Sequence, residues 1–198
     1  WPLALAALAG LMMLTRAAPT RGRALLLGWW FGLGHFTIGL TWIATAFTYQ
    51  AAMPAWLGWI AVVLLALYLA VYPAVAVGLA WRFGRDNPLR FGLLFAAAWM
   101  LTEWLRGYLF TGFAWNPLGA LWLPLLPVAQ TASWIGALGL SGLAAVAATL
   151  LLCAMRREWL QAGALAGALL LMAGLGGWRV SMPVGGNGAE VRIVHPET

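Results

Sequence analysis

The side chains best suited to chemistry lie in one stretch, T-E-W-L-R-G-Y-L-F-T-G-F-A-W-N-P, residues Thr102–Pro117. Glu103 and Arg106 are three residues apart, so on a helix they share one face. Thirteen residues separate Glu103 from Arg90, which at 1.5 Å per residue places the carboxylate about 20 Å away. That is still inside an apolar layer of about 30 Å. A charge at mid-layer costs about 2.5–3.5 kcal/mol, less near its edge and less again when paired. Such a pair should face the bundle interior or a wet cavity. Two roles suit it: a site for a polar headgroup or anchor for a working loop, and a structural ion pair that sets helix packing. Beyond the pair come Gly107, Gly112, Trp115, Pro117, Gly119, Trp122, Pro124 and Pro127. This run is too broken for a straight helix and too apolar for an ordinary loop. Trp and Tyr favour membrane–water interfaces, so it reads either as a partly re-entrant structure where an acyl chain leaves the bilayer sideways, or as an aromatic belt.

The remaining reactive types are isolated. His35 lies in G-W-W-F-G-L-G-H, among glycines that permit close helix contact. An intramembrane histidine is a functional candidate, but no second ligand is spaced to complete a metal site, which favours packing or a hydrogen bond. Cys153 has no neighbouring histidine or acid in sequence and reads as an inert buried thiol. Glu158 follows Arg156-Arg157 as a solvated helix junction. The sequence holds no phosphate-binding glycine loop, no H-E-x-x-H, no G-x-S-x-G and no paired-cysteine motif. It therefore offers no complete catalytic constellation, no metal site and no cofactor motif.

The elements that must position these residues are membrane spans. Of 198 residues, 64% are hydrophobic and only 8% charged, against about 25% charged in soluble domains. So few charges cannot cover a soluble surface, whereas acyl chains can solvate an apolar one. The expected fold is an all-α polytopic transmembrane bundle of about six spans. They cover Trp1–Leu14, Ala24–Ala46, Ala55–Ala80 with a kink at Pro73, Phe91 to Leu109, Gln130–Met155, and Trp159–Trp178. The first run lacks a charged n-region and is no complete signal peptide; its start is expected to precede Trp1. The single cysteine excludes a disulfide scaffold.

All 11 basic residues are arginine. They fall in clusters between apolar runs rather than along one face, which argues against nucleic-acid binding. Loops 15–23, 81–90 and 156–158 share a side if the spans alternate, and hold Arg16, Arg21, Arg23, Arg82, Arg85, Arg90, Arg156 and Arg157. The other side holds Arg106, Arg179 and Arg192. Eight against three marks the first side as cytoplasmic, and one miscounted span would scramble that bias. Residues 1–180 thus form the helical domain, 181–189 a Pro/Gly/Asn-rich linker, and 190–198, alternating as E-V-R-I-V-H, the first strand of a further soluble domain outside the cytoplasm. A disordered tail is the alternative reading.

The central motif resembles the pattern T-E-x-x-R-G-x-x-x-T-G-F-P-W of bacterial apolipoprotein N-acyltransferases, with Ala114 in place of the usual proline. Gly32–Ile43 resembles the family's glycine-aromatic span, Gly136–Gly142 its G-x-x-G-x-S segment, and V-R-I-V-H-P-E-T the start of its nitrilase-like domain, with His195 replacing glutamine. The resemblance covers nearly the whole chain. It implies spans two to seven of eight, with a stub of the nitrilase-like α/β domain at the C-terminus. It also implies a reaction: transfer of an acyl chain from a phospholipid to the amino group of diacylglyceryl-cysteine on an apolipoprotein. The reaction passes through a cysteine thioester assisted by a glutamate and a lysine. Those three belong to the nitrilase-like domain, so no catalytic residue is assigned here, and Cys153 lies on the wrong side to be the nucleophile. Glu103, Arg106, Gly112 and Trp115 are the residues expected to matter, for shaping the loop and substrate entry. Two rivals remain: a non-enzymatic membrane module such as a transporter half or scaffold, and a family member whose catalytic domain has been lost, leaving an anchor. A transporter needs a polar pathway, and beyond Glu103, Arg106 and His35 few side chains could line one.

Overall fold

A computed structural model of the chain describes residues 2–49 and 54–182, and every regular element among them is helical. In chain order these are α1 (Pro2–Ala17), α2 (Arg21–Gly39), α3 (Thr41–Phe47), α4 (Trp56–Leu69), α5 (Val71–Gly84), α6 (Pro88–Tyr108), α7 (Leu126–Ala129), α8 (Ala132–Met155) and α9 (Trp159–Ser181). A 3-10 turn, Leu118–Trp122, precedes α7. Local chemistry sets several boundaries. The Thr20 hydroxyl caps α2 by accepting from the Arg23 amide at 3.3 Å, and the Asn87 side chain caps α6 by accepting from the Arg90 amide at 2.9 Å, ahead of Pro88 in the first turn. Pro73 cannot donate to the carbonyl of Leu69, and α4 gives way to α5 at Ala70, one residue beyond that carbonyl.

α2, α5, α6 and α8 pack in succession, with α1 against α8 and α2, and α9 on the outer side of α8. The larger core cluster includes Leu8, Met12, Val77, Phe91, Phe95, Trp99, Ala144 and Leu152. α2 approaches α5 closely because Gly28 and Gly32 have no side chains: a Cβ on Gly32 would lie 2.9 Å from the Ala70 Cα. The outer faces are apolar and exposed; Leu160, Leu170 and Leu171 of α9 all point outward. In water such a surface would drive aggregation, whereas lipid solvates it.

Among the described residues, three helical segments are long and apolar enough to cross a membrane: Trp56–Gly84 (29 residues, α4 with α5), α8 (24 residues) and α9 (23 residues). A fourth is added if α2 and α3, bent by 42° at Leu40, count as one. Where one uninterrupted span was expected over Ala24–Ala46, the chain therefore breaks. Thr41 contributes, because its hydroxyl donates to the Ile38 carbonyl at 3.2 Å. α1 is apolar but has only 16 residues. α6 has 21 residues and carries Arg90, Glu103 and Arg106. α8 contains a non-helical residue, Gly136, at φ 69°. α9 continues to Ser181, and all but the first two residues of the expected linker, together with the expected strand 190–198, lie outside the described residues.

The arginine-bearing junctions after α1, α5 and α8 meet at one end of the bundle. Arg16 Nε donates to the Arg85 carbonyl at 3.0 Å, and the Trp81 indole donates to the Ala18 carbonyl at 3.1 Å. Arg16, Arg85 and Arg156 border a common recess.

Candidate functional site

The opposite end is organised by one face of α6. Trp99, Glu103 and Arg106, spaced four and three apart, line it up and are buried; Glu103 is 8% and Arg106 3% exposed. A buried carboxylate needs donors, and Glu103 has three. Its Oε2 accepts from the Trp99 indole at 3.1 Å and from the Leu118 amide at 3.0 Å. Its Oε1 accepts from the Ser141 hydroxyl at 2.6 Å. The guanidinium of Arg106 stands 4.0 Å from Oε2, at the outer limit of an ion pair. Hydrogen bonds, more than the ion pair, therefore hold the carboxylate. They come from α6 itself, from the segment after it, and from α8.

Arg106 is engaged elsewhere. One terminal nitrogen donates to the Trp115 carbonyl at 2.6 Å, a short charge-assisted bond. Its guanidinium carbon stands 5.0 Å from the centroid of the Phe36 ring of α2. Its own carbonyl accepts from the Phe113 amide at 2.7 Å, folding the chain back on the end of α6. Gly112 makes that reversal feasible: it has φ 74°, and a Cβ there would lie 2.5 Å from the Gly107 carbonyl oxygen.

The segment then turns inward. Asn116 takes φ 56°, and its side-chain nitrogen donates to the His35 carbonyl at 3.4 Å. The same amide nitrogen is 3.3 Å from His35 Nε2, which is also 3.4 Å from the Asn116 carbonyl oxygen. The first contact needs Nε2 bare and the second needs it protonated, so one histidine tautomer selects between them. After Pro117 the 3-10 turn lies against α8. The Gly119 amide donates to the Ser141 hydroxyl at 2.8 Å, and the Trp122 indole donates to the Leu140 carbonyl at 3.0 Å. Ser141 thus relays between Glu103 and Gly119, donating to one and accepting from the other.

Two spaces adjoin this framework. A pocket of about 10 Å³, the room of roughly one water, lies between His35, Tyr72, Thr102, Glu103 and Arg106. A larger apolar groove of about 560 Å³ runs between α1, α2 and the Asn116–Leu121 stretch, bordered by Leu8, Phe31, His35, Ile38, Asn116 and Leu121.

Three of the four residues singled out from sequence, Glu103, Arg106 and Gly112, meet in this framework through side chain or backbone. Trp115 joins through its carbonyl, while its indole is exposed and packs on Trp42 with ring centroids 5.5 Å apart. His35 Nε2 lies within hydrogen-bonding distance of Asn116, and no cluster of three metal-binding side chains occurs among the described residues. Cys153 is buried at the arginine-rich end, its thiol donating to Gln161 Oε1 at 3.7 Å. Sequence reasoning passed over three contributors. Trp99 was detectable four residues before Glu103 on the same face, and the Asn116-Pro117 dipeptide signals a turn. Ser141 had no local signal beyond its place in the glycine-serine segment.

The framework places the two charged residues and the loop glycine of T-E-x-x-R-G-x-x-x-T-G-F on one structural unit. Comparison with known families agrees: the domain described as the apolipoprotein N-acyltransferase N-terminal domain matches residues 1–150. The chain belongs to the apolipoprotein N-acyltransferase family. It is 38% identical over 177 residues to the apolipoprotein N-acyltransferase of Ralstonia nicotianae, covering 88% of this chain and 34% of that protein. It is also 38% identical over 196 residues to that of Brucella melitensis, covering 94% of this chain and 36% of that protein. The Shewanella oneidensis apolipoprotein N-acyltransferase is 42% identical over 136 residues, covering 64% of this chain and 25% of that protein. The chain thus spans about a third of the length of the curated relatives it matches in R. nicotianae and B. melitensis. Membership in this N-acyltransferase family and the apolar helices together make it a bacterial membrane protein.

Proposed function

We propose that this chain is the six-span membrane domain of an apolipoprotein N-acyltransferase. α1, α2 with α3, α4 with α5, α6, α8 and α9 are the spans, in the inner membrane, with loops 15–23, 81–90 and 156–158 cytoplasmic. C-terminal to α9, a nitrilase-like domain lies in the periplasm. That domain supplies the glutamate, lysine and cysteine of the acyl transfer, and this chain supplies none of them. An ester bond of a phospholipid breaks and an amide bond forms on the amino group of diacylglyceryl-cysteine in an apolipoprotein. The membrane domain holds the catalytic domain at the outer face and admits both lipids from the side.

The observation that carries this reading is the three-donor capture of Glu103. A carboxylate so fully engaged with α6, the 109–122 segment and α8 is a fastener rather than a proton-transfer group. It fixes the buried start of the Leu118–Trp122 turn beside an apolar groove of about 560 Å³, a volume typical of small-ligand sites. Arg106 and Gly112 set the reversal of the chain, and Trp115 presents an aromatic ring at the surface.

The test is Arg106→Ala in the full-length enzyme, assayed in membranes with a fluorescent phosphatidylethanolamine donor and a diacylglyceryl lipopeptide acceptor. Transfer should fall at least tenfold (about 1.4 kcal/mol in barrier height), with the membrane-inserted amount unchanged. A wild-type rate would remove the pair from the reading. Residues 1–198 alone should form no acyl-thioester with labelled phospholipid, and label on Cys153 would overturn the placement of the chemistry.

A further inference from the structure

At the end of the bundle away from Glu103, three different helices each supply an arginine to one recess. Arg16 comes from the last turn of α1, Arg85 follows α5, and Arg156 follows α8. The recess holds about 270 Å³, and its other walls include Met13 of α1 and Leu152 of α8. Two of the three cations are anchored from behind. Arg16 spends its Nε on the Arg85 carbonyl at 3.0 Å, which leaves its terminal nitrogens for another partner. The Arg85 guanidinium stacks over the Trp81 ring at 4.9 Å, and that ring is fixed by its bond to the Ala18 carbonyl at 3.1 Å. The acidic neighbours do not line the recess. Glu158, its Oε2 buried, attracts Arg16 from outside the lining, and Asp86 meets Arg85 only at 3.8 Å, with its side chain 98% exposed. An exposed pair of that kind is weak.

A basic rim above apolar walls matches an amphiphile with an anionic head. Basic pockets between transmembrane helices on the cytoplasmic side suit acidic lipid headgroups, and guanidinium forks suit phosphate oxygens. We propose that Arg16, Arg85 and Arg156 hold the phosphodiester of an anionic glycerophospholipid, whose acyl chains descend along the exposed face of α1 at Met13. A free phosphate ion shares the head chemistry but makes no use of those walls. The lipid sits at the opposite end from the Glu103 framework, so it is a resident lipid that ties α1 to α8, not an acyl donor, and the inference stands whether or not the enzyme reading does.

The experiment uses the full-length protein in neutral detergent, titrated with dioleoylphosphatidylglycerol, dioleoylphosphatidylcholine or inorganic phosphate and read by native mass spectrometry. Arg85→Gln/Arg156→Gln leaves the Arg16 bond to the Arg85 carbonyl intact. Arg21→Gln/Arg82→Gln removes the same charge from the same end outside the recess. The first pair should raise the phosphatidylglycerol concentration for half-occupancy about tenfold or more, and the second by less than about threefold. Phosphatidylcholine should not compete. Equal effects of the two pairs would reduce the recess to diffuse surface charge and overturn the proposal. Displacement of the lipid by millimolar inorganic phosphate would make it a free-anion site and also overturn it. Should the Arg85/Arg156 variant fail to fold, the wild-type melt decides: phosphatidylglycerol must raise it above phosphatidylcholine, and no difference sinks the idea.

Discussion

Ser141→Ala is the perturbation that bears most directly on how the Glu103 framework is held. The Ser141 hydroxyl donates to Glu103 Oε1 at 2.6 Å and accepts from the Gly119 amide at 2.8 Å. Its removal deletes a hydrogen bond to a charged group, worth about 1.5–3 kcal/mol, and strands a buried amide, at about 1–3 kcal/mol. The two effects share one hydroxyl and do not simply add, so the expected loss is about 3 kcal/mol. For a chain of this size each kcal/mol moves the melting midpoint by about 2–4 °C, giving a fall of about 6–12 °C. Ser133→Ala is the matched control. That serine is exposed and bonds only the Gln130 carbonyl three residues back, so its loss should stay within about 0.5 kcal/mol. The assay is a tryptophan-fluorescence melt in detergent, paired with hydrogen-exchange mass spectrometry of the peptide covering 113–123. In Ser141→Ala the amides of Leu118 and Gly119 should exchange faster, while those of α5 keep their protection. A melting shift below about 2 °C together with unchanged exchange across 113–123 would refute the reasoning, because it would mean that the segment is held without the relay.

Three other outcomes are expected. Gly112→Ala should cost about 2 kcal/mol or more, from the left-handed backbone and the 2.5 Å approach to the Gly107 carbonyl, whereas Gly107→Ala, with open space around its Cβ, should be neutral or stabilising; both are read from melts. Gly32→Val should lower stability by about 1–3 kcal/mol because its Cβ meets the Ala70 Cα at 2.9 Å, while Gly34→Ala, with nothing within 4 Å, should be tolerated. With Cys153 buried and silent, residues 1–198 carrying Phe110→Cys should react with an impermeant maleimide in intact cells and those carrying Asp86→Cys only after lysis; the reverse pattern would invert the orientation taken from the arginines.

What was legible in the sequence is what short-range chemistry controls. The shared face of Glu103 and Arg106 follows from helical spacing, and the break beside Ala70 from the missing amide of Pro73. That α2 makes a close helix contact follows from its glycines, though not that α5 is the partner, and the gathering of Arg16, Arg85 and Arg156 at one end follows from charge alternation between apolar runs. The break at Leu40 was less visible. It depends partly on Thr41 bonding back to Ile38, but also on Asn116 packing against Gly39 from 77 residues away. Ser141 was invisible as a partner of Glu103, since 38 residues separate them and an alanine-rich span gives a serine no period to break. In an apolar bundle, hydrophobic patterning says little about which faces meet, because every face is apolar. Pairing must then be specified by the few polar groups that lipid will not solvate. Glu103 is the extreme case. An unpaired carboxylate at that depth would be too costly to keep, and the partners that relieve it come from α6, the 109–122 segment and α8. The same charge that first marked this stretch as a possible site of chemistry therefore also determines where the broken segment must dock.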